Sequence, residues 1–489
     1  MKREMMRASI AVVAATSIAV AAPATSVHRL DGTRIGAAEI DATVTRLMRA
    51  AEVTGVGLAV LNGGQPVYVK AYGLRDVEKR LPLTADSVMS AASLSKSTFA
   101  CMVMQLVDER VIDLDASIER YLPKPLPQYD GYESLAADAR YKTITARMLL
   151  AHTAGFANLR ALEPGRRIQI HFDPGTRYAY SGQGIQLLQL VVESATKTPI
   201  EQLMRERIFT PFGMMRTSMT WQERFENDFA NGYDEYGRSL GPERRQRADA
   251  AGSMQTTIAD IARLLGAASA GKRLRPQTRT LMFIPQIAID SRRQFPTFST
   301  ETTDANRAIR LGYGLGWGLF QSPHGPAFFK EGHDEGWRHY AVMFSRHGDG
   351  IVIMTNSSNG EGIFKELLQT VQHNTFTPVE WEGYTPYDRL PPRPPLPKRS
   401  IVIVDPNVLN GYVGRYRLDE ATLVVRRQGD HLSIQENDES PQELFAQGER
   451  VFISEVADDV FTFEVDAAGR ATKMILRSGG RELAIPRIE

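Results

Sequence analysis

A serine and a lysine stand three positions apart at Ser93 and Lys96, a spacing suited to covalent catalysis. Apolar residues recur at helical spacing directly after Ser93, and residues three apart share one face of a helix, so the two side chains can touch. A serine hydroxyl is a weak nucleophile until a base takes its proton, and an amine with a lowered pKa can be that base. The free N–H groups at a helix start can stabilise an oxyanion. The pair therefore predicts acyl transfer through a covalent serine intermediate.

The S-x-x-K pattern is weakly specific by itself, since about one or two copies are expected by chance in a chain of this composition. A second copy occurs at Ser194 and Lys197. It ends a predicted helix ahead of Pro199, which is typical of an ordinary helix C-terminus. The surroundings of Ser93 must therefore decide between the two copies.

Two further elements could complete a site around Ser93. Tyr180 lies on a predicted loop that leads into a helix, and the stretch Phe328–Gly332, which contains the triad Lys330-Glu331-Gly332, is predicted to open a late strand. Each residue also has a purely structural interpretation. Most tyrosines pack in a core, and an isolated strand lysine is usually solvated.

The set Ser93-x-x-Lys96, Tyr180-Ser181-Gly182 and Lys330-Glu331-Gly332 resembles the motifs of penicillin-binding-protein and class C β-lactamase-type serine hydrolases. That group also contains DD-peptidases, D-aminopeptidases and carboxylesterases. The stretches 149–155, 211–214 and 250–254 share the likeness in order and spacing, so that it spans roughly residues 40 to 370.

The resemblance implies a role for each residue. Ser93 would attack an acyl carbonyl, and Lys96 and Tyr180 would share proton transfer, with either one as the base in acylation. Tyr180 would be the donor to the leaving group and would activate the hydrolytic water. Lys330 would hold a substrate carboxylate or keep Tyr180 partly ionised through its positive charge.

The strand triad also implies an oxyanion site, formed by the backbone N–H groups of Ser93 and of His333, which follows Gly332. Related enzymes often have a histidine at the first position of this triad, so His333 competes with Lys330 for that place. Residues 335–338 resemble the family pattern in the alignment that places Lys330, and not His333, at the first position of the triad. His152 is predicted to cap a helix rather than to catalyse.

One departure from the family pattern bears on the substrate. The β-lactamases and DD-peptidases of the group usually have asparagine where this chain has Gly182, and that amide would contact Lys96 and the substrate's amide carbonyl. Its absence predicts a peptidase or esterase rather than an efficient β-lactamase, with Gln183 as an alternative amide. The competing function is a penicillin-binding-type receptor that a peptidoglycan-like ligand binds or acylates without turnover.

Composition limits the partners and cofactors. The chain has 58 Lys+Arg against 57 Asp+Glu, which gives no electrostatic reason to expect nucleic acid. Its nine histidines lack metal-ligand spacing and no phosphate-binding glycine motif occurs, so we predict neither a metal nor an organic cofactor. The single cysteine, Cys101, is predicted to pack in a helix. The expected partner is a small-molecule or peptide substrate.

The first residues have the pattern of an export signal. A basic head precedes an uncharged Ala- and Val-rich stretch, and a small-residue site places the cut after Ala24. An uncleaved membrane anchor is the alternative, but the stretch is a poor spanning helix and no later run reaches membrane length. We therefore expect a periplasmic or secreted protein without stable membrane insertion.

The order of predicted elements indicates an α+β fold. Strand patterns at 56–61 and 67–69 flank a hairpin turn, helical patterns follow, and strand patterns return at 311–320, 340–345 and 350–355. We expect a β-lactamase/transpeptidase-like antiparallel sheet that joins the first hairpin to the late strands, with helices packed on it.

The chain divides by composition into four predicted segments. After a signal at 1–24, the hydrolase domain would occupy 25–374. Prolines crowd residues 375–405 and predict a semi-rigid linker without a helix. Short alternating segments at 406–489 predict a small all-β barrel, which resembles the lipocalin-like module appended to such hydrolases.

Overall fold

The computed structural model describes residues 26–393, 401–418, 421–436, 441–454, 459–478 and 481–489. The predicted export signal at 1–24 and the stretch 394–400 of the predicted linker lie outside these residues. Within them, no helix has both the length and the apolar character needed to cross a membrane.

Most α-helices of the described residues lie between residues 94 and 308 of the chain, and one lies in the C-terminal part. They are α1 (Ala37–Ala50), α2 (Leu94–Asp108), α3 (Ala146–Leu150), α4 (Gly182–Thr196), α5 (Ile200–Met204), α6 (Thr210–Phe212), α7 (Ile258–Ala270), α8 (Pro276–Met282), α9 (Ala305–Ala308), α10 (Phe364–Gln372) and α11 (Pro406–Tyr412).

The strands form one large sheet, one barrel and three small pairs. They are β1 (Ser26–His28), β2 (Arg34–Gly36), β3 (Gly55–Asn62), β4 (Gln65–Asp76), β5 (Leu81–Pro82), β6 (Met89–Ser90), β7 (Gly232–Tyr233), β8 (Ser239–Gly241), β9 (Gln255–Thr256), β10 (Ile287–Ala288), β11 (Gly312–Tyr313), β12 (Gly318–Ser322), β13 (Gly325–Asp334), β14 (Trp337–Phe344), β15 (Asp349–Thr355), β16 (Gly414–Leu418), β17 (Ala421–Gln428), β18 (His431–Glu436), β19 (Gln442–Ala446), β20 (Val451–Ser454), β21 (Val460–Val465), β22 (Ala471–Ser478) and β23 (Arg481–Pro486).

The large sheet has the order β10-β11-β12-β13-β14-β15-β3-β4-β5. Its pairs are antiparallel, and β15 pairs with β3, so the first hairpin and the late strands share one sheet as predicted. The predicted α+β fold is confirmed. The late strand that contains residues 330–332 begins earlier than its predicted start at Phe328, however, because β13 starts at Gly325.

The helix α3, which approaches the site, is capped at both ends. Thr145, its N-cap, accepts a hydrogen bond from the N–H of Met148. His152 lies just past the end of α3 with φ of 57°, and the N–H of Thr153 bonds back to the Met148 carbonyl, as in a helix cap. Cys101 is buried within α2, as predicted.

Beyond residue 373 the chain continues to pack on the large sheet. Val379, Trp381 and Tyr384, within the segment predicted to be a linker, are buried in the same apolar cluster as strand residues of the sheet. After the undescribed stretch, Pro406 begins α11, which packs over a barrel in the order β16 to β23. A bridge between Tyr416 and Arg487 brings the first and last strands together, so the barrel is nearly closed. The predicted barrel is confirmed, while its lipocalin-like character stays a prediction.

Candidate active site

Ser93 directly precedes α2 and is half-buried. Ala92 before it has φ of 46°, a left-handed conformation that costs a residue with a Cβ about 1 kcal/mol or more. Two neighbours fix this turn: the N–H of Ala91 donates to the Met254 carbonyl at 2.7 Å, and a ring nitrogen of His339 lies 2.6 Å from the Ser90 carbonyl oxygen. The surrounding strands therefore hold the serine in a strained turn.

Lys96 lies one helical turn after Ser93 and is only 4% exposed. Its Nζ lies 2.8 Å from Ser93 Oγ and donates to the carbonyl oxygen of Ala251 at 2.6 Å. Burial, and then the positive charge of Lys330, lowers the pKa of Lys96 to about 7. A large fraction of this amine is therefore uncharged near neutral pH and able to accept a proton from the serine.

The loop that supplies the Ala251 carbonyl is tied to glutamines on α4. Gln186 donates to Asp249 Oδ2 at 2.7 Å, and Gln189 Oε1 accepts from the N–H of Ala250 at 2.8 Å. Asp249 Oδ1 in turn accepts from the N–H of Ala251 at 2.7 Å. Sequence reasoning missed these contacts, although glutamines at three-residue spacing marked a polar face of the helix.

Tyr180 stands two residues before α4 and is 2% exposed. Ser181 caps the helix by accepting from the N–H of Gly184 at 2.8 Å, which fixes the direction in which the chain enters. The ring of His152 lies 4.6 Å from that of Tyr180. Burial, and then the charge of Glu331, raise the pKa of Tyr180 well above its ordinary value, while its contact with Ser93 acts in the opposite direction. The phenol is therefore neutral and can donate a proton.

Lys330 is fully buried on β13, with its Nζ 3.1 Å from the hydroxyl oxygen of Tyr180. The structure thus brings Lys330, and not the side chain of His333, to the phenol. Lys330 also donates to Glu331 Oε1 at 2.6 Å, which makes a buried ion pair. The geometry differs from both predicted roles, because the ammonium faces a carboxylate of its own chain and the phenol it contacts has a raised pKa.

A second carboxyl group lies behind this pair. Glu382 accepts from the hydroxyl of Tyr340 at 2.5 Å, and burial and then the charge of Glu331 raise the pKa of Glu382 well above its ordinary value. Although burial opposes it, the charge of Lys330 holds the pKa of Glu331 below its ordinary value. Gln294 donates to Glu331 at 3.2 Å. Of these three buried groups, Lys330 is therefore the cation, Glu331 is the anion and Glu382 is neutral.

We expect Glu331→Gln to lower the free energy of unfolding by about 3 kcal/mol, because removing one partner leaves the other charge buried without compensation. Urea unfolding followed by tryptophan fluorescence measures this change. The matched control is Asp304→Asn, whose ion pair with Arg307 is exposed, 70% for the arginine and 82% for the aspartate side chain. That substitution should cost less than about 1 kcal/mol. Equal losses in the two variants would contradict a desolvated Lys330–Glu331 pair.

The end of β13 runs past the serine turn. Among the described residues, β12 pairs with β13 only as far as Phe329, so the later residues of β13 have no strand partner on that side. A Cβ built on Gly332 would lie 2.8 Å from the carbonyl oxygen of Ala91, so only glycine permits this approach. The backbone of His333 follows directly, and His333 lines the cavity beside the nucleophile.

The cavity in front of Ser93 has a volume of about 810 Å³ and is lined, among others, by Lys96, Asn158, Gly182 and His333. Gln183, the predicted alternative amide, is 9% exposed, and its Nε2 donates to Gln186 at 2.6 Å. The side chain of Gln183 therefore lies along α4 and is occupied there. Its predicted substrate contact finds no support in this geometry.

Comparison with known proteins agrees with this arrangement. A family model described as Beta-lactamase matches residues 40–373. Penicillin-binding protein 4* of Bacillus subtilis (strain 168) is 23% identical over 464 residues, which cover 86% of this chain and 93% of that protein. Penicillin-binding protein 4 of Amycolatopsis lactamdurans is 26% identical over 351 residues, 65% of this chain and 84% of that protein.

A solved structure shares the fold. D-alanine carboxypeptidase AmpC from Burkholderia cenocepacia has a TM-score of 0.53 at 19% identity, with 66% of this chain and 93% of that chain covered.

Proposed function

The chain belongs to the beta-lactamase family of serine hydrolases, and we propose that it cleaves amide or ester bonds through an acyl-enzyme on Ser93. The observation that carries this proposal is the distance of 2.8 Å between Ser93 Oγ and the Nζ of Lys96, an amine whose pKa is lowered to about 7. A nucleophile and a matched base in hydrogen-bond contact are what acyl transfer requires.

In the first step Lys96 accepts the Ser93 proton as Oγ attacks the acyl carbonyl. The Ala251 carbonyl accepts one amine hydrogen, which leaves the nitrogen lone pair of the neutral amine free to accept the serine proton. The tetrahedral oxyanion would lie between the N–H groups of Ser93 and His333, at the open end of β13. Donors held there before reaction need no reorganisation as charge develops.

In the second step the neutral phenol of Tyr180 protonates the leaving group as the carbon–heteroatom bond breaks. The proton taken by Lys96 can then return to the phenolate oxygen, since both amines lie against the same ring, with their nitrogens 5.2 Å and 4.9 Å from its centre. Water enters after the leaving group departs, and Lys96 takes one of its protons as the water oxygen attacks the acyl carbon. That proton returns to Ser93 Oγ as the bond between Oγ and the acyl carbon breaks and the acid is released. In this scheme Lys330 acts through Tyr180 and not by touching the substrate.

Peptide and ester substrates are favoured over β-lactams in this proposal. Among the described residues, Lys96 bonds to Ser93 and to the backbone of Ala251, and no carboxamide side chain contacts its nitrogen. This agrees with glycine at position 182.

A chromogenic ester tests the proposed turnover. p-Nitrophenyl butyrate should give steady release of nitrophenolate well beyond one equivalent per chain. A single stoichiometric burst followed by no further release would contradict hydrolysis and favour the receptor function. Parallel assays with peptides that end in D-amino acids separate a peptidase from an esterase.

Replacing Tyr180 by phenylalanine should lower kcat by about 10²- to 10³-fold, because the leaving group loses its proton donor. Reaction of Ser93 with a fluorophosphonate should persist, since fluoride needs no proton to depart. Turnover of a peptide or an alkyl ester, whose leaving group must take up a proton, measures the first effect, and intact-mass labelling measures the second. A Tyr180→Phe variant with wild-type kcat would remove Tyr180 from the mechanism.

We further propose export, on the basic head and the small-residue site of the first 24 residues. Mass analysis of the mature protein from its native host should find Thr25 as the first residue. An intact N-terminus in that protein would contradict cleavage.

A further inference from the structure

We propose that Asn158 is a specificity-determining residue whose side-chain amide donates to a carbonyl oxygen in the acyl part of the substrate. This inference rests on the proposed function, since it concerns the same cavity. Asn158 is half-buried and lines the cavity together with Ser93 and Lys96. It lies on the loop after α3, away from the motifs that mark the nucleophile.

The orientation of the Asn158 carboxamide is fixed by the start of α4. The N–H of Gly182 donates to Asn158 Oδ1 at 3.0 Å, and the N–H of Gln183 donates to the Asn158 backbone carbonyl at 3.2 Å. Because these free helix N–H groups can only donate, Oδ1 must face them and Nδ2 must face the other way. Within the described residues, Nδ2 donates no hydrogen bond, so two N–H bonds remain for a ligand.

Gly182 and Asn158 occupy one space between them. A Cβ built on Gly182 would lie 2.7 Å from the backbone oxygen of Asn158 and 3.3 Å from its Oδ1. A side chain at position 182 would therefore displace Asn158, and the glycine leaves the carboxamide of Asn158 as the amide at this wall of the cavity. The chain thus presents from a neighbouring loop an amide that cannot be placed at position 182.

The neighbouring glutamines Gln183 and Gln186 do not compete for this role. Gln183 and Gln186 bond to each other and Gln186 also bonds to Asp249. An unpaired amide donor in the cavity that holds the nucleophile matches a substrate with an amide carbonyl near the scissile bond, such as an N-acylated amino acid or a peptide. A fatty acyl chain of equal length has no hydrogen-bond acceptor at this position. When such a substrate binds, it buries the Asn158 amide donor without a partner.

Two esters of equal chain length test the proposal: p-nitrophenyl N-acetylglycinate and p-nitrophenyl pentanoate. The readout is the ratio of their acylation rates, taken from the first turnover, which is defined for an enzyme and for a receptor alike. The wild-type chain should favour the N-acetylglycinate by about 10-fold or more, the discrimination expected of one buried donor. A wild-type ratio near one would overturn the proposal.

Asn158→Asp retains the acceptor for Gly182 but replaces the donor, so the ratio should fall about 10-fold or more. Asn158→Ala, which adds no charge, and Gly182→Ala, which displaces the loop, should lower it in the same direction. Asn227→Asp, an exposed change outside the cavity, is the matched control and should leave the ratio unaltered.

Equal losses on both esters in the Asn158 variants would mean that Asn158 only supports α4, and this would overturn the inference. An unchanged ratio would do the same. Failure of the proposed function looks different, because the wild-type chain would then release at most one equivalent of nitrophenolate from each ester and no more in the steady state, whatever the ratio of the two first-turnover rates.

Discussion

Replacing Ser93 by alanine should abolish turnover, with kcat for ester hydrolysis lowered by about 10⁴-fold or more. The reason is that the remaining amine and phenol have no oxygen nucleophile to activate at 2.8 Å from Lys96. Intact-mass analysis after treatment with a fluorophosphonate should show one adduct on the wild-type chain and none on the variant.

The matched control for this experiment is Ser194→Ala, which removes the serine of the second S-x-x-K copy. Ser194 donates to the Tyr121 carbonyl at 2.8 Å and lies at the end of α4, away from the cavity. This variant should take up the label and hydrolyse ester as the wild type does. Labelling that survives in Ser93→Ala but fails in Ser194→Ala would reverse the assignment.

Replacing Lys96 by methionine should lower kcat/KM by about 10²- to 10⁴-fold and remove a pH dependence that the wild type shows. Lys96 acts as a base only when unprotonated, and its pKa is lowered to about 7. The wild-type kcat/KM should therefore rise with pH up to about 7 and level off above it. At pH 5.5 the rate should be about 30-fold below the plateau.

Histidines near the site do not account for such a rise. Burial, and then the charge of Arg338, lowers the pKa of His333 to about 4. Burial is also the main reason that the pKa of His339 is lowered to about 4. The pKa of His152 is also well below its ordinary value because of burial and the charge of Lys330. A profile that is flat between pH 5.5 and 8 would show that Lys96 is not the base. Lys197→Met, from the second S-x-x-K copy, should keep the wild-type profile.

The contact between Ser93 and Lys96 could be predicted from sequence because it is local. Residues three apart on a helix meet whatever the rest of the fold does, and the distance of 2.8 Å between the two side chains follows that rule. The placement of Tyr180 and Lys330 was implied by resemblance instead, since these residues are 150 positions apart. The order of strands and helices similarly predicted the large sheet.

The surroundings of Lys330 could not be read in the same way. Whether a strand lysine is solvated depends on what surrounds it, and the groups near Lys330 include Glu382, from a segment whose prolines predicted a linker and in which Trp381 is also buried. Composition averages over such a segment and hides single aromatic residues that pack. Because Lys330 is buried, the role that we propose for it is to act through Tyr180, and not to hold a substrate carboxylate.

Partners from loops were missed for a related reason. The Ala251 carbonyl bonds to Lys96 across 155 positions, and Asn158 reaches Gly182 from another loop. A backbone carbonyl has no signature in the sequence, and a single loop asparagine has no periodicity that would set it apart. In the barrel, β16, β19 and β23 carry no clear strand pattern in the sequence, since their short segments mix polar and apolar residues.

The most direct test of the Ser93 chemistry is to trap the reaction itself. An ester in turnover is quenched with acid, the protein is digested, and the peptides are mapped by mass spectrometry. We predict that the wild-type chain carries the substrate's acyl group on Ser93. The Ser93→Ala variant should yield no acylated peptide. An acyl group found on another residue, or steady hydrolysis with no acylated peptide, would contradict the covalent mechanism.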